Sequence, residues 1–341
     1  MPLDLTPEES EPYFSGQAPG PHLDVIAAMA THAAAAGLRL GVFDALAEAP
    51  APAADLAGRL GADPAALEVL LGALAATGYL ARDGDRYAAT GTARSLQGYG
   101  DSLLFWHDVL TGMWGGLEES VRSGKRQGDF YEWIAGRPQT LARFEGILRG
   151  QAGWLSEEIV ALAPPPAGAT RLLDLGGGHA RYSIAYCAAG PELRATVVDL
   201  PSALVAGRAA VVEAGLEERV ELRAGDLLEA LPYVGQDCVL LFNLLHGFTA
   251  ERAEELVRSA VGTLRPGGRA IVLERDPAGR GDPVADAFTR MFALNLHHTQ
   301  GGVLHPLERI AGWLTSAGCA PPETMDLTRS PAHRLLVTTA T

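Results

Sequence analysis

The sequence predicts an α/β protein in which a doubly wound parallel sheet follows an α-rich amino-terminal module. Three observations carry this. From Thr170 onward short apolar runs alternate with helical segments, and a glycine-rich turn, Asp174-Leu-Gly-Gly-Gly178, closes the first of those runs. Before residue 166 the apolar positions recur at helical spacing, broken by a single hairpin signal. The 341 residues, 48% of them hydrophobic, are enough for two such units.

Residues 1–20 are acidic and rich in Pro and Gly, and read as a loose arm anchored by Tyr13 and Phe14. A helix starts near His22, carries Val25, Ile26 and Met29, and stops at Gly37. Leu40, Val42, Phe43 and Leu46 make a second short piece, and Ala53–Leu60 a third before Gly61. Asp63 and Pro64 then cap a helix with Leu67, Leu70, Leu71 and Leu74 on one face, and Asp83-Gly84 turns a hairpin. Helices followed by a hairpin are the order of a winged helix, expected over 21–97.

A winged helix raises the question of DNA. The chain has 27 Lys+Arg against 41 Asp+Glu, a net charge of −14, and Lys125 is its only lysine. The segment 63–77, which would lie against DNA, contains no basic residue, so phosphate neutralisation has no local source. No nucleic-acid partner is expected, and the module is expected to pack on a second copy of itself. Anionic membrane surfaces are disfavoured on the same ground, and no apolar run reaches membrane-spanning length. Cys187, Cys238 and Cys319 are widely spaced without metal-ligand spacing, as expected of buried thiols in a cytoplasmic protein.

Residues 98–165 read as further helix, a connector rich in aromatics, of which Trp106 and Phe144 are candidates to face a flat apolar ligand. After the Pro164–Pro166 run the sheet domain, 166–341, begins. Its strands are expected at 171–175, 195–198, 220–224, 238–243 and 269–273, ending in Asp174, Asp199, Asp226, Asn243 and Glu274. In a doubly wound sheet ligands bind beyond those ends. A dinucleotide fingerprint is broken, because Arg181 occupies the sixth position counted from Gly176. Asp174 would repel a pyrophosphate but suits a cofactor carrying an ammonium and a sulfonium. Asp199 can accept from ribose hydroxyls and Asp226 from an adenine amino group.

The motifs LLDLGGG, VVDLP, GDLLEALP, LLFNLLHGF and LRPGGRAIVLE, in this order, resemble those of the S-adenosylmethionine (SAM) dependent small-molecule O-methyltransferases of plants and bacteria. The resemblance spans nearly the whole chain from residue 20. It implies a winged-helix dimerisation domain ahead of a Rossmann-like methyltransferase domain, a homodimer, and SAM as cofactor. It places Asp174, Gly176, Gly177 and Gly178 around the methionine moiety, Asp199 and Leu200 at the ribose, Asp226 and Leu227 at the adenine, and Asn243 nearby. His246 falls at the family's general-base position and Glu274 at the position that orients it. Met291, Phe292, Asn295 and His298, on the helix from Pro283, line the acceptor side.

Methyl transfer to a hydroxyl needs a base of near-neutral pKa, which His246 supplies when a carboxylate fixes its tautomer. The plant-type family has Asp-Trp after this histidine where the chain has Gly247-Phe248, and its second helper acid falls at Leu304. The expected reaction is methylation of a hydroxyl on an aromatic or polyketide-like molecule, without a metal. The alternatives are C-methylation of an α-keto acid or other enolisable carbon, and non-methylating chemistry that retains SAM. In the first of these, His298 would face His246 and, with Glu274 or Asp276, complete a metal triad. For His297, His298 and His305 ordinary loop polarity is the competing reading.

Overall fold

The computed structural model describes Leu3 and residues 5–341, which divide into two compact units at Gly112/Met113. The first unit contains α1 (Pro7–Phe14), α2 (Pro21–Leu40), α3 (Val42–Ala45), β1 (Ala51–Pro52), α4 (Ala53–Leu60), α5 (Pro64–Ala76), β2 (Leu80–Asp83) and β3 (Arg86–Ala89), followed by α6 (Gly91–Met113). The winged-helix order holds, with an antiparallel sheet β1-β3-β2. Asp63 caps α5 by accepting from the Ala66 N–H at 2.8 Å, and Leu67, Leu71 and Leu74 enter a core with Leu56, Phe43 and Tyr87. The arm is more ordered than its composition suggested: Thr6 and Glu9 form a reciprocal capping box around Pro7, which starts α1. α6 runs unbroken through residue 97, where the sequence suggested a boundary.

The second unit contains α7 (Leu117–Ser123), α8 (Phe130–Ala135), α9 (Pro138–Leu162), β4 (Arg171–Leu175), α10 (Arg181–Ala189), β5 (Arg194–Asp199), α11 (Leu204–Glu213) and β6 (Val220–Ala224). It continues with β7 (Gln236–Phe242), α12 (Ala250–Gly262), β8 (Leu264–Arg275), α13 (Pro283–Gln300), α14 (Leu307–Ser316), β9 (Glu323–Asp326) and β10 (His333–Thr339). The strands form one sheet in the order β6-β5-β4-β7-β8-β10-β9. β4 to β8 are mutually parallel, and β10 is antiparallel to both its neighbours.

Apolar layers cover both faces of the sheet. On β7, Cys238, Leu240 and Phe242 join a core with α9 and α10, while Val239 and Leu241 join one with α12 and α14. Every residue of β7 is buried, which is why Cys238–Phe242 reads as a continuous apolar run. The chain steps outward from β4 through β5 to β6 and then returns to place β7 on the other side of β4. That reversal opens the crevice between the carboxyl ends of β4 and β7, where such sheets bind ligands.

Candidate active site

The first half of the site is the turn after β4. Asp174 is 1% exposed; Ser183 Oγ donates to its Oδ2 at 2.7 Å, and its Oδ1 has no hydrogen-bond partner. Burial pushes its pKa up to about 7, the Ser183 hydrogen bond opposing this and the Asp199 charge adding to it. A Cβ on Gly177 would collide with that carboxylate, and one on Gly176, whose φ is +73°, would lie 2.7 Å from Leu244 Cδ1. The Gly178 N–H donates to Asp199 Oδ2 at 2.8 Å, and the Leu200 N–H to Asp199 Oδ1 at 2.7 Å. Each Asp199 oxygen keeps a further lone pair for another donor. Burial also raises the Asp199 pKa, against the two backbone hydrogen bonds. Asp226 is exposed and caps its own turn through the Leu228 N–H; Leu227 beside it is buried, and Leu200 is exposed.

The second half is the turn after β7. Asn243 takes φ +51°, a left-handed conformation that Asn tolerates better than most residues, and its N–H donates to the Leu273 carbonyl. The chain then coils into a 3₁₀ turn, Leu245–Gly247, whose amides would be unsatisfied without Glu274. Glu274 Oε1 accepts from the Leu244 and Leu245 N–H groups at 2.9 and 2.7 Å, with the His246 N–H at 3.4 Å. Its Oε2 lies 2.7 Å from His246 Nδ1. A carboxylate can only accept, so Nδ1 carries the proton and Nε2 keeps a free lone pair. The imidazole is 16% exposed, and the Phe292 ring meets it edge-on at 5.7 Å.

The far side of this turn is clamped as well. The Val303 N–H donates to the His246 carbonyl at 2.9 Å, and Gly302 lies so close to that carbonyl that any Cβ would overlap it. His305 Nε2 lies 3.1 Å from the Leu245 carbonyl, and burial depresses its pKa. At Leu304, in place of a helper acid, the structure has a buried apolar side chain.

Two expectations need correction. His298 does not complete a triad with His246: it is 1% exposed and its Nε2 lies 2.9 Å from the Met113 carbonyl. Among the described residues no group of three His, Cys, Asp or Glu is disposed to hold a metal ion, so Asp276 has no such part either; it pairs with Arg334. Nor are His298 and His305 polar loop side chains; both are buried and hydrogen-bonded to main-chain carbonyls.

Of the other acceptor-side candidates, Asn295 is buried and accepts from Trp114 Nε1 at 3.0 Å, and Met291 is exposed. Phe144 packs edge-on against Phe130 at 5.3 Å, and Trp106 belongs to the first unit, on α6. Sequence reasoning missed Ser183 and Gly207. The last had a signal: Gly207 sits within a helix where glycine is costly, and the structure shows why, since a Cβ there would overlap the Gly178 carbonyl.

Comparison with known proteins identifies the family and fold. The O-methyltransferase domain family matches residues 114–320, and the O-methyltransferase dimerisation domain family matches residues 24–97. The chain belongs to the O-methyltransferase family and is a SAM-dependent methyltransferase. It is 28% identical to an L-tyrosine C(3)-methyltransferase of Streptomyces lavendulae, over 84% of this chain and 82% of that one. It is 27% identical to a 3-hydroxy-5-methyl-1-naphthoate 3-O-methyltransferase of Streptomyces sahachiroi, over 86% and 87%. Among solved structures, that of TnmH superposes with a TM-score of 0.77 at 27% identity, covering 92% of this chain and 95% of that one. The residues present fit SAM: the unpartnered Asp174 Oδ1 is an acceptor for a cationic group, and the glycine turn leaves room where a Cβ would intrude.

Proposed function

We propose that the protein transfers a methyl group to a hydroxyl oxygen of an aromatic or polyketide-like small molecule, with His246 as general base. The observation that carries this is the 2.7 Å contact between His246 Nδ1 and Glu274 Oε2 at the mouth of the crevice. It leaves Nε2 free to take the acceptor's proton, and Glu274, held by backbone amides, stabilises the imidazolium that results. SAM supplies an electrophilic methyl on a sulfonium when bound. Asp174 and Gly176–Gly178 hold its methionine end, Asp199 and Leu200 the ribose, Asp226 and Leu227 the adenine, and Asn243 sets the turn beside it. Phe292, Met291 and Phe144 supply apolar surface for a flat acceptor. The first unit dimerises the enzyme, which accounts for the exposed apolar side chains Val25 and Met29 on α2.

The test is kinetic. His246→Ala should lower turnover by about 10²–10⁴-fold while S-adenosylhomocysteine binds as before. Unchanged turnover would remove the base assignment. The naphthoate specificity named for the S. sahachiroi relative supports an aromatic acceptor. The ring-carbon methylation named for the S. lavendulae relative supports a second reading, because a phenol deprotonated by the same base is nucleophilic at carbon as well as oxygen. NMR of the product separates the two: a methoxy signal supports the first, a ring methyl the second.

A further inference from the structure

Arg275 follows Glu274 in β8, and its guanidinium lies against the aromatic face of α13. Its Cζ is 5.3 Å from the Phe288 ring centre and 5.7 Å from that of Phe292, the ring that also meets the His246 imidazole. Phe288 and Phe292 are themselves stacked, 6.2 Å apart and 9° from parallel. Arg275 Nη1 donates to Thr289 Oγ1 at 3.1 Å. Among the described residues no carboxylate lies within ion-pair distance of Arg275. The two nearest in sequence are committed elsewhere, Glu274 to the His246 turn and Asp276 to Arg334.

A half-buried guanidinium without a counter-ion is costly, and burial lowers its pKa. The surroundings add no negative charge. The register partner of Arg275 on β10 is His333, whose pKa is pushed down to about 3 by burial first and then by neighbouring positive charge, that of Arg275 foremost. Ser330 Oγ at 2.7 Å and Gln151 Nε2 at 3.4 Å occupy the two nitrogens of His333. A cation is therefore kept beside the proposed base, with apolar rings below it and, among the described residues, no carboxylate paired to it. Arginine in such a setting suits a planar carboxylate, which it binds through two parallel N–H donors.

We propose that Arg275 is a specificity-determining residue that binds a carboxylate on the acceptor, so that the substrate class is hydroxy-substituted aromatic carboxylic acids. The inference rests on the reading of His246 as the base of the acceptor site. Phe292 touches both groups, so an aromatic acid laid on it presents its carboxylate to the guanidinium and its hydroxyl to Nε2. Ion pairing at Arg275 then fixes which hydroxyl meets the base.

The test uses full-length protein saturated with S-adenosylhomocysteine and three matched pairs of probes. These are 2,4-dihydroxybenzoate, 3-hydroxy-2-naphthoate and 1-hydroxyanthraquinone-2-carboxylate, each titrated calorimetrically beside its methyl ester. On at least one scaffold the acid should bind about tenfold or more tighter than the ester. In Arg275→Met that preference should fall below about twofold with ester affinity unchanged, while Arg275→Lys keeps most of it. S-adenosylhomocysteine affinity, measured on each variant, verifies folding. Equal binding of acid and ester on all three scaffolds overturns the proposal, as does a preference that survives in Arg275→Met or a loss shared equally by acid and ester. The readout is binding without turnover, so failure of the base assignment, seen as wild-type turnover in His246→Ala, is a separate result.

Discussion

Asp174 shows how one side chain can be costly to the free protein and, in its proposed role, useful to the complex. Its folded pKa of about 7 lies well above the ~3.9 of an unfolded chain. Folding therefore takes up a proton between those values, and the stability linked to this carboxyl is full below pH ~4 and lost as the pH rises through 7. The ligand-free protein should melt at a lower temperature at pH 8 than at pH 5, and Asp174→Asn should remove that component of the slope, as scanning calorimetry of both proteins would show. Binding runs the other way, because a cationic ligand needs the ionised form. S-adenosylhomocysteine affinity should rise about tenfold between pH 6 and pH 8 as the ionised fraction grows, and Asp174→Asn should bind weakly with no such rise; equal profiles would refute the role. Asp174, Asp199 and Glu274 could be picked out in the sequence because each ends a recognisable strand. The surroundings of His246 could not: Gly302 and His305 act through main-chain carbonyls, and a single sequence does not show where a carbonyl will point.

Among the elements, α11 is held against the glycine turn through Gly207. Gly207→Ala would force its methyl onto a backbone carbonyl that cannot swing aside as a side chain could. We expect a loss of about 1–3 kcal/mol in stability and a weakening of S-adenosylhomocysteine binding, by denaturant titration and calorimetry respectively. Gly58 in α4 is the matched control. It has open space where a Cβ would sit and an ordinary helical φ, so Gly58→Ala should stabilise by about 0.4–1 kcal/mol. The five parallel strands were legible because four of them contain a short apolar run and all five lead to a polar residue, while β6, Val-Glu-Leu-Arg-Ala, shows an alternating pattern instead. β9 and β10 were not: β9 is a mostly exposed Glu-Thr-Met-Asp segment without an apolar run, and in β10 the obstacle is Arg334. It sits fully buried within β10 on Asp326 and Asp276 and breaks the apolar pattern that marks a core strand. α1 had its signal, Thr6 with Glu9 three residues on, but it buries no residue and so lacks the apolar stripe by which longer helices announce themselves.

For the molecule as a whole, the net charge of −14 and the apolar α2 pull in different directions. Among the described residues α2 is the one helix long and apolar enough to cross a membrane by length and composition. Yet Leu23, Ala30 and Ala34 are packed inside the first unit while Val25 and Met29 remain outside, and the dimerisation-domain match begins at residue 24, within the helix. An apolar outer face there suits a second copy. Light scattering should give twice the 35.8 kDa chain mass, and Met29→Arg should shift the protein toward monomer; an unaltered dimer would move the interface elsewhere.

The position of β10 between β8 and β9 has a consequence for how the protein is made. β8, whose end carries Glu274 and Arg275, has β7 on one side from early in synthesis, but its other edge stays bare until His333–Thr339 have left the ribosome. A nascent chain stalled before residue 333 would expose a long apolar strand edge, the kind that recruits other chains into aggregates. Glu274, the carboxylate hydrogen-bonded to His246, would then rest on an unfinished sheet.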